Sequence, residues 1–166
     1  MTTREVTTLL LVCHGESNAS AVADMVHGHA PAALYTSPAH HAGEIAGAIA
    51  ARCGLVGRVD ALLAEPDTAL TDAAPDAVQA RMVAAAELIV RAAPGQTVAI
   101  VADHLALYAL VCHSLAAPLP VSWSESRPFS IGAASMSVVE VGSDGLWTLL
   151  RLNESCHLPP EQRPTG

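Results

Sequence analysis

The sequence predicts a three-layer α/β/α fold, in which helices cover both faces of a mostly parallel sheet. Residues 9–13 are five consecutive apolar residues, which is typical of a strand buried on both faces within a parallel sheet. Residues 98–102 repeat this pattern, and each run leads to a histidine, His14 or His104. Because open α/β sheets bind ligands beyond the carboxyl ends of their strands, both histidines are expected at a functional edge.

Composition limits the class of protein. The 166 residues are 51% hydrophobic and only 3% aromatic, so we expect one core built from aliphatic side chains. The formal net charge of -8 argues against nucleic acid or an anionic membrane as a partner. The apolar runs are too short to span a membrane. The four cysteines form no C-x-x-C pair and no signal peptide is recognised, so we expect a cytoplasmic protein with reduced thiols.

The elements of the first half follow in order after the first strand. A short helix is predicted from residue 16 to about residue 27, and a second strand covers residues 33–36. Ser37-Pro38 predicts the start of a helix, with Ser37 as its N-cap and Pro38 in its first turn. This helix is expected to end near residue 52, where Gly54 closes it.

The second half contains further strands and helices of the same kind. A short strand lies within residues 56–63, and residues 76–92 have apolar positions at helical spacing. A helical run over residues 105–115 follows the second histidine.

The end of the chain predicts a hairpin and a tail. Residues 134–141 and 146–152 are the hairpin strands, and the connection between them contains an Asp-Gly pair. We assign residues 1–158 to a single domain. Residues 159–166 are rich in proline and are expected to form a disordered tail.

Several short segments, taken in order, carry a family resemblance. Residues 9–17 read Leu-Leu-Leu-Val-Cys-His-Gly-Glu-Ser, and residues 33–38 read Ala-Leu-Tyr-Thr-Ser-Pro. With residues 98–104, 135–140 and 152–158, they resemble the histidine phosphatase superfamily, also called phosphoglycerate mutase-like. The family signature normally reads Arg-His-Gly-Glu/Gln-Ser/Thr. The resemblance spans nearly the whole chain and implies the phosphoglycerate mutase-like fold.

The resemblance implies roles for three residues. In the family, the first histidine carries a covalent phosphoryl group and the second neutralises phosphoryl oxygens; His14 and His104 match these positions. Imidazole suits the first role because it is both a good nucleophile and a good leaving group. Glu65 matches the family's Leu-x-Glu general acid, although a solvated loop carboxylate is the alternative. Asp103 either orients an imidazole or points away from the site.

The residues that would bind phosphate depart from the family pattern. Cys13 and His41 stand where the family has arginines, and Ser20 stands where it commonly has asparagine. Arginine binds phosphate through two parallel hydrogen bonds, and losing one such contact costs roughly 100- to 1000-fold in rate. Together with Ser17 and Arg127, these three residues form the predicted substrate-binding set.

These departures favour an enzyme with an altered phosphate pocket. We predict that His14 and His104 act on a small molecule by acid–base chemistry rather than by ordinary phosphomonoester hydrolysis. One alternative is a phosphohydrolase of residual or specialised activity with a phospho-His14 intermediate. The other is a non-catalytic binding protein that keeps the fold. No cofactor and no resident metal are expected, although Cys13, His14, His41 and His104 are ligand types that zinc accepts. The substrate and the oligomeric state do not follow from the sequence.

Overall fold

A six-stranded sheet forms the centre of the protein. The computed structural model describes residues 5–15, 18–66, 74–124 and 127–163. The strands are β1 (Val6–Cys13), β2 (Ala33–Thr36), β3 (Gly57–Val59), β4 (Thr97–Ala102), β5 (Met136–Gly142) and β6 (Trp147–Glu154). Their order across the sheet is β3-β2-β4-β1-β5-β6. Strands β1 to β4 run parallel, and β5 and β6 complete the sheet as an antiparallel hairpin. The prediction of a mostly parallel sheet is therefore confirmed.

Helices cover both faces of this sheet. One buried cluster joins Leu9 and Leu11 of β1 to the third and fourth helices, and a second cluster joins Leu10 and Val12 to the first two. Side chains alternate across a strand, so β1 contributes to both clusters and the fold has three layers. No helix among the described residues is long and apolar enough to cross a membrane. The helices of the described ranges are α1 (Ala19–His27), α2 (His40–Cys53), α3 (Pro75–Ala92) and α4 (His104–Ser114).

The two central strands bring the two candidate histidines to one edge. Strands β1 and β4 pair in parallel, and Cys13 lies opposite Ala102 at the end of the ladder. The next residues along the two strands, His14 and Asp103, therefore emerge side by side. This edge is the carboxyl end of the parallel strands, where ligands of such sheets bind.

Helices α1 and α2 differ from the predictions at their starts. The described part of α1 begins at Ala19, and Asn18 caps it by accepting a hydrogen bond from the backbone N–H of Ala21. The predicted start at residue 16 lies outside the described residues. The prediction that Ser37 is the N-cap of α2 is wrong, because the cap is Ala39. The predicted end at Gly54 is confirmed, with a left-handed φ of 69°.

The second half agrees with the predictions to within a few residues. Helix α3 begins at Pro75, and α4 begins at His104 with Asp103 as its N-cap. The predicted hairpin is confirmed, and Gly145 in its turn has a φ of 79°. Residues Pro160–Gln162 form one 3-10 turn. The domain boundary at residue 158 and the disordered tail stay predictions.

Candidate active site

His14 is the least exposed of the candidate catalytic side chains. Its backbone N–H donates to the carbonyl of Ala102, with 3.1 Å between the atoms, which ties the end of β1 to the end of β4. The side chain is only 10% exposed, and its Nε2 lies 2.8 Å from Oε1 of Glu65. The two groups are close but not aligned as a hydrogen bond, so Nε2 has no hydrogen-bond partner among the described residues. The buried, unsatisfied Nε2 of His14 therefore faces the carboxylate of Glu65.

Helix α3 holds the segment that carries Glu65. Arg81 donates from its guanidinium to the carbonyls of Leu62 and Ala64, at 2.5 and 2.9 Å. Partial burial lowers the pKa of Arg81 from its ordinary value, yet arginine stays charged at any physiological pH. The Glu65 side chain is 47% exposed, so it contacts both His14 and solvent. The Glu65 carboxylate therefore lies beside His14, and its catalytic role stays a prediction.

Asp103 orients His104, which resolves the alternatives that the sequence left open. Its Oδ1 accepts a hydrogen bond from the backbone N–H of Leu105 at 2.8 Å and so caps α4. Its Oδ2 lies 2.9 Å from Nδ1 of His104, which donates to it in the tautomer protonated at that nitrogen. Burial works to raise the pKa of Asp103, but hydrogen bonds and the charge of His104 lower it overall. The hydrogen bond to Asp103 raises the pKa of His104, with partial burial opposing it.

These opposite shifts predict how the pair contributes to stability as pH changes. The raised pKa of His104 gives stability that is present below about pH 6.5 and lost as pH rises through the folded value. The lowered pKa of Asp103 gives stability that is present above about pH 4 and lost as pH falls through its folded value. In urea denaturation, Asp103→Asn should therefore be most destabilising near pH 5 to 6 and less so at pH 9. A difference in unfolding free energy that stays constant with pH would contradict this.

Cys13 does not replace the positive charge of the family's arginine. Its side chain is 1% exposed and packs in the cluster beside α3 and α4. The thiol donates to the carbonyl of His14, with 3.4 Å between the atoms. Burial, with a smaller effect from the charge of Asp103, raises the pKa of Cys13 to about 12, so the thiol stays neutral. Its substrate-binding role stays a prediction.

Three other predicted substrate-binding residues lie at the surface or beyond the described ranges. His41 is exposed on α2, with its Nδ1 3.3 Å from Oε2 of Glu44. Ser20 is exposed in the first turn of α1. Ser17 lies outside the described residues. Their roles stay predictions. Among the described residues, the four ligand types that zinc accepts, Cys13, His14, His41 and His104, do not form one group.

Among the predicted substrate-binding residues, Arg127 acts electrostatically on His104. Its Nη1 donates to the carbonyl of Trp123 at 3.2 Å, and its guanidinium lies 5.6 Å from the centre of the Tyr108 ring. Its positive charge works to lower the pKa of His104, and the negative charge of Glu65 works to raise it. The charges of Arg127 and Glu65 thus have opposite effects on the pKa of His104.

Sequence reasoning missed the loop over residues 130–135, which packs against the turn after His14. The backbone N–H of Ala134 donates to the carbonyl of Cys13 at 3.0 Å. The side chain of Asn153, at a φ of 54°, accepts from the N–H of Gly132 and the hydroxyl of Ser135, each at 3.0 Å. The sequence signal for this packing was Gly15, because a residue without a side chain lets the loop approach the turn closely.

One known protein family matches this chain. The model of the histidine phosphatase superfamily (branch 1) matches residues 72–155, slightly more than half of the chain. The chain belongs to the histidine phosphatase superfamily. The matched range contains His104 but begins after His14 and Glu65. A search of curated proteins finds no match.

Solved structures share the fold at low sequence identity. The phosphoserine phosphatase of Entamoeba histolytica in complex with 3-phosphoglyceric acid aligns with a TM-score of 0.75 at 15% identity, over 92% of this chain and 100% of that one. Bacillus stearothermophilus YhfR aligns with a TM-score of 0.72 at 21% identity, over 92% and 100%. The mycobacterial glucosyl-3-phosphoglycerate phosphatase aligns with a TM-score of 0.68 at 22% identity, over 90% and 100%. The phosphoglycerate mutase-like fold predicted from the sequence is confirmed.

Proposed function

We propose that this protein is an enzyme that acts on a small molecule by acid–base chemistry instead of hydrolysing ordinary phosphomonoesters. One observation carries the proposal: each candidate histidine has a carboxylate as its close partner. His14 Nε2 lies 2.8 Å from Glu65, and His104 Nδ1 lies 2.9 Å from Asp103. Donor atoms of His14, Glu65 and Asp103 all lie within 4.8 Å of one another, so the two pairs belong to one site.

Paired imidazole and carboxylate groups are suited to moving protons near neutral pH. The carboxylate fixes the tautomer of the ring and stabilises the imidazolium that forms when the ring accepts a proton. In the second pair, the bond from Nδ1 to Asp103 leaves Nε2 of His104 as the proton-transferring atom. In the first pair, half-exposed Glu65 can pass a proton between buried His14 and a substrate.

The charges around the site support a neutral or cationic substrate. Glu65 and Asp103 supply two carboxylates, and Arg127 supplies a positive charge that acts on the same histidine. The thiol of Cys13 is neutral because its pKa is about 12. A phosphate dianion would meet repulsion from both carboxylates at short range, whereas a neutral ester or a cation would not.

Phosphohydrolase activity through a phospho-His14 intermediate is the second candidate. Membership of the histidine phosphatase superfamily supports it, as does the electrostatic influence of Arg127 on His104. The contact between Nε2 of His14 and Glu65 weighs against it, because a carboxylate 2.8 Å from this nitrogen repels an incoming phosphoryl group.

Two esters with the same leaving group separate these candidates. We expect the protein to hydrolyse p-nitrophenyl acetate above background, and p-nitrophenyl phosphate at least about 100-fold less efficiently in kcat/KM. His14→Asn and His104→Asn should each lower acetate hydrolysis by about 100-fold or more. His27→Asn, on the exposed end of α1, is the control and should leave it unchanged. Preference for the phosphate ester would overturn the proposal in favour of phosphohydrolysis. Turnover no faster than background with both esters would overturn it in favour of a non-catalytic protein.

A further inference from the structure

We propose that His14, Glu65 and Asp103 form a binding site for one divalent transition-metal ion, with Zn²⁺ as the expected occupant. One imidazole nitrogen and one oxygen from each carboxylate lie within 4.8 Å of one another. This set differs from the cysteine and histidine ligands that the sequence suggested. It arises from two neighbouring strand ends and a segment that α3 holds in place, and it goes beyond the proposed function.

The burial and hydrogen bonding of His14 support this site most strongly. Its side chain is nine-tenths buried, and its Nε2 has no hydrogen-bond partner among the described residues. An unsatisfied buried polar atom costs free energy, which a suitable partner would recover. The nitrogen lies 2.8 Å from Oε1 of Glu65, whereas adjacent ligands of one tetrahedral zinc ion lie roughly 3.3 Å apart, so the two side chains would separate slightly to admit the ion. A cation between the two atoms would satisfy both.

The donor set selects the kind of ion. Mg²⁺ and Ca²⁺ prefer oxygen ligands alone, whereas a site with an imidazole nitrogen favours zinc and its neighbours in the first transition row. Asp103 is held in orientation by Leu105 and His104, the kind of support that metal-binding carboxylates usually have. Three protein ligands leave a coordination position open, as in exchangeable or catalytic zinc sites.

Metal binding would change what the site can do. Once Nε2 of His14 coordinates a cation, its lone pair is no longer available for proton transfer. Zinc is therefore expected to inhibit the acid–base activity of the site. This consequence rests on the proposed function, but the binding of the ion does not.

Isothermal titration with Zn²⁺, on protein first stripped with a chelator, tests the site without any measurement of turnover. We expect one saturable site per chain in the wild type. Glu65→Gln and His14→Asn should each weaken zinc binding by about 100-fold, because the loss of a direct ligand costs at least as much as the loss of its supporting contacts. Circular dichroism checks that each variant is folded. Glu65 is half exposed, so its variant serves even if His14→Asn unfolds.

The control removes a second group of possible ligands on the exposed face of α2. His40, His41 and Glu44 also have donor atoms within 4.8 Å of one another. The variant His40→Gln with Glu44→Gln disables that group and should leave zinc affinity unchanged. The proposal is overturned if the wild type shows no saturable binding. It is also overturned if binding disappears in the His40/Glu44 variant but persists in Glu65→Gln. Neither result depends on whether p-nitrophenyl acetate is hydrolysed.

Discussion

Asp103→Asn is expected to lower kcat for p-nitrophenyl acetate by about 100- to 10,000-fold, the range seen when an imidazole loses its orienting carboxylate. Asp103 is a positioning residue that acts through His104, since its Oδ2 lies 2.9 Å from Nδ1 of that ring. Asparagine removes the negative charge that raises the pKa of His104 and offers an amide that favours the wrong tautomer. Its carbonyl oxygen can still accept from Leu105, so α4 keeps its N-cap.

The pH profile distinguishes this positioning role from a purely structural one. In the variant, the limb of the kcat profile that reports His104 should move to lower pH, because the raised pKa of that histidine falls. KM should change little, since Asp103 supports the transition state through His104 and is not assigned a substrate contact. Asp76→Asn, exposed at the start of α3, is a matched control that should leave the profile unchanged. An unaltered profile with undiminished kcat in Asp103→Asn would show that the carboxylate plays no part in the chemistry.

The buried strands could be predicted because their signal is local and continuous. Leu9 to Val12 are at most 1% exposed, and Val98 to Ala102 are fully buried, as their unbroken apolar runs indicate. The position of a histidine at the end of such a run then follows from the chain itself. The parallel register of β1 and β4 places these ends side by side, which a family resemblance implied and periodicity alone did not.

The error at Ser37 shows how tertiary contacts override a local signal. Ser-Pro resembles a helix start, but the backbone N–H of Ser37 donates to the carbonyl of Val101 at 2.9 Å, and the residue is 1% exposed. The chain therefore stays bonded to β4 at Ser37, and Ala39 caps the helix. The Ser37 hydroxyl accepts from the N–H of Ala39 at 3.4 Å instead of capping α2.

The contacts that define the site follow from no local pattern, and only the family resemblance pointed to Glu65. Glu65 reaches His14 from a segment far along the chain, held there by Arg81. No periodicity within one element encodes such a meeting. The pairing of His41 with Glu44, by contrast, follows from i,i+3 spacing on a helix and could have been anticipated.

Gly15→Ala is expected to destabilise the protein by about 1 to 3 kcal/mol, the usual cost of overpacking a well-packed site. A Cβ at position 15 would lie 2.5 Å from Cβ of Ala133, far inside the contact distance of two carbon atoms. The opposing loop cannot easily withdraw, because Ala134 donates to the carbonyl of Cys13 and Asn153 holds Gly132. Urea denaturation at pH 7 measures the loss of unfolding free energy.

Removing the opposing methyl group should restore most of that stability. In the double variant Gly15→Ala with Ala133→Gly, the nearest remaining atom of residue 133 is its Cα, 3.3 Å from the new Cβ, a tight but tolerable contact. Ala133→Gly alone is the matched control for the added backbone freedom of glycine, which costs up to about 1 kcal/mol. The double variant should therefore be more stable than the sum of the two single effects predicts, with a coupling of about 1 kcal/mol or more. Additive effects would mean that the loop moves aside without cost and that Gly15 is not required for its packing.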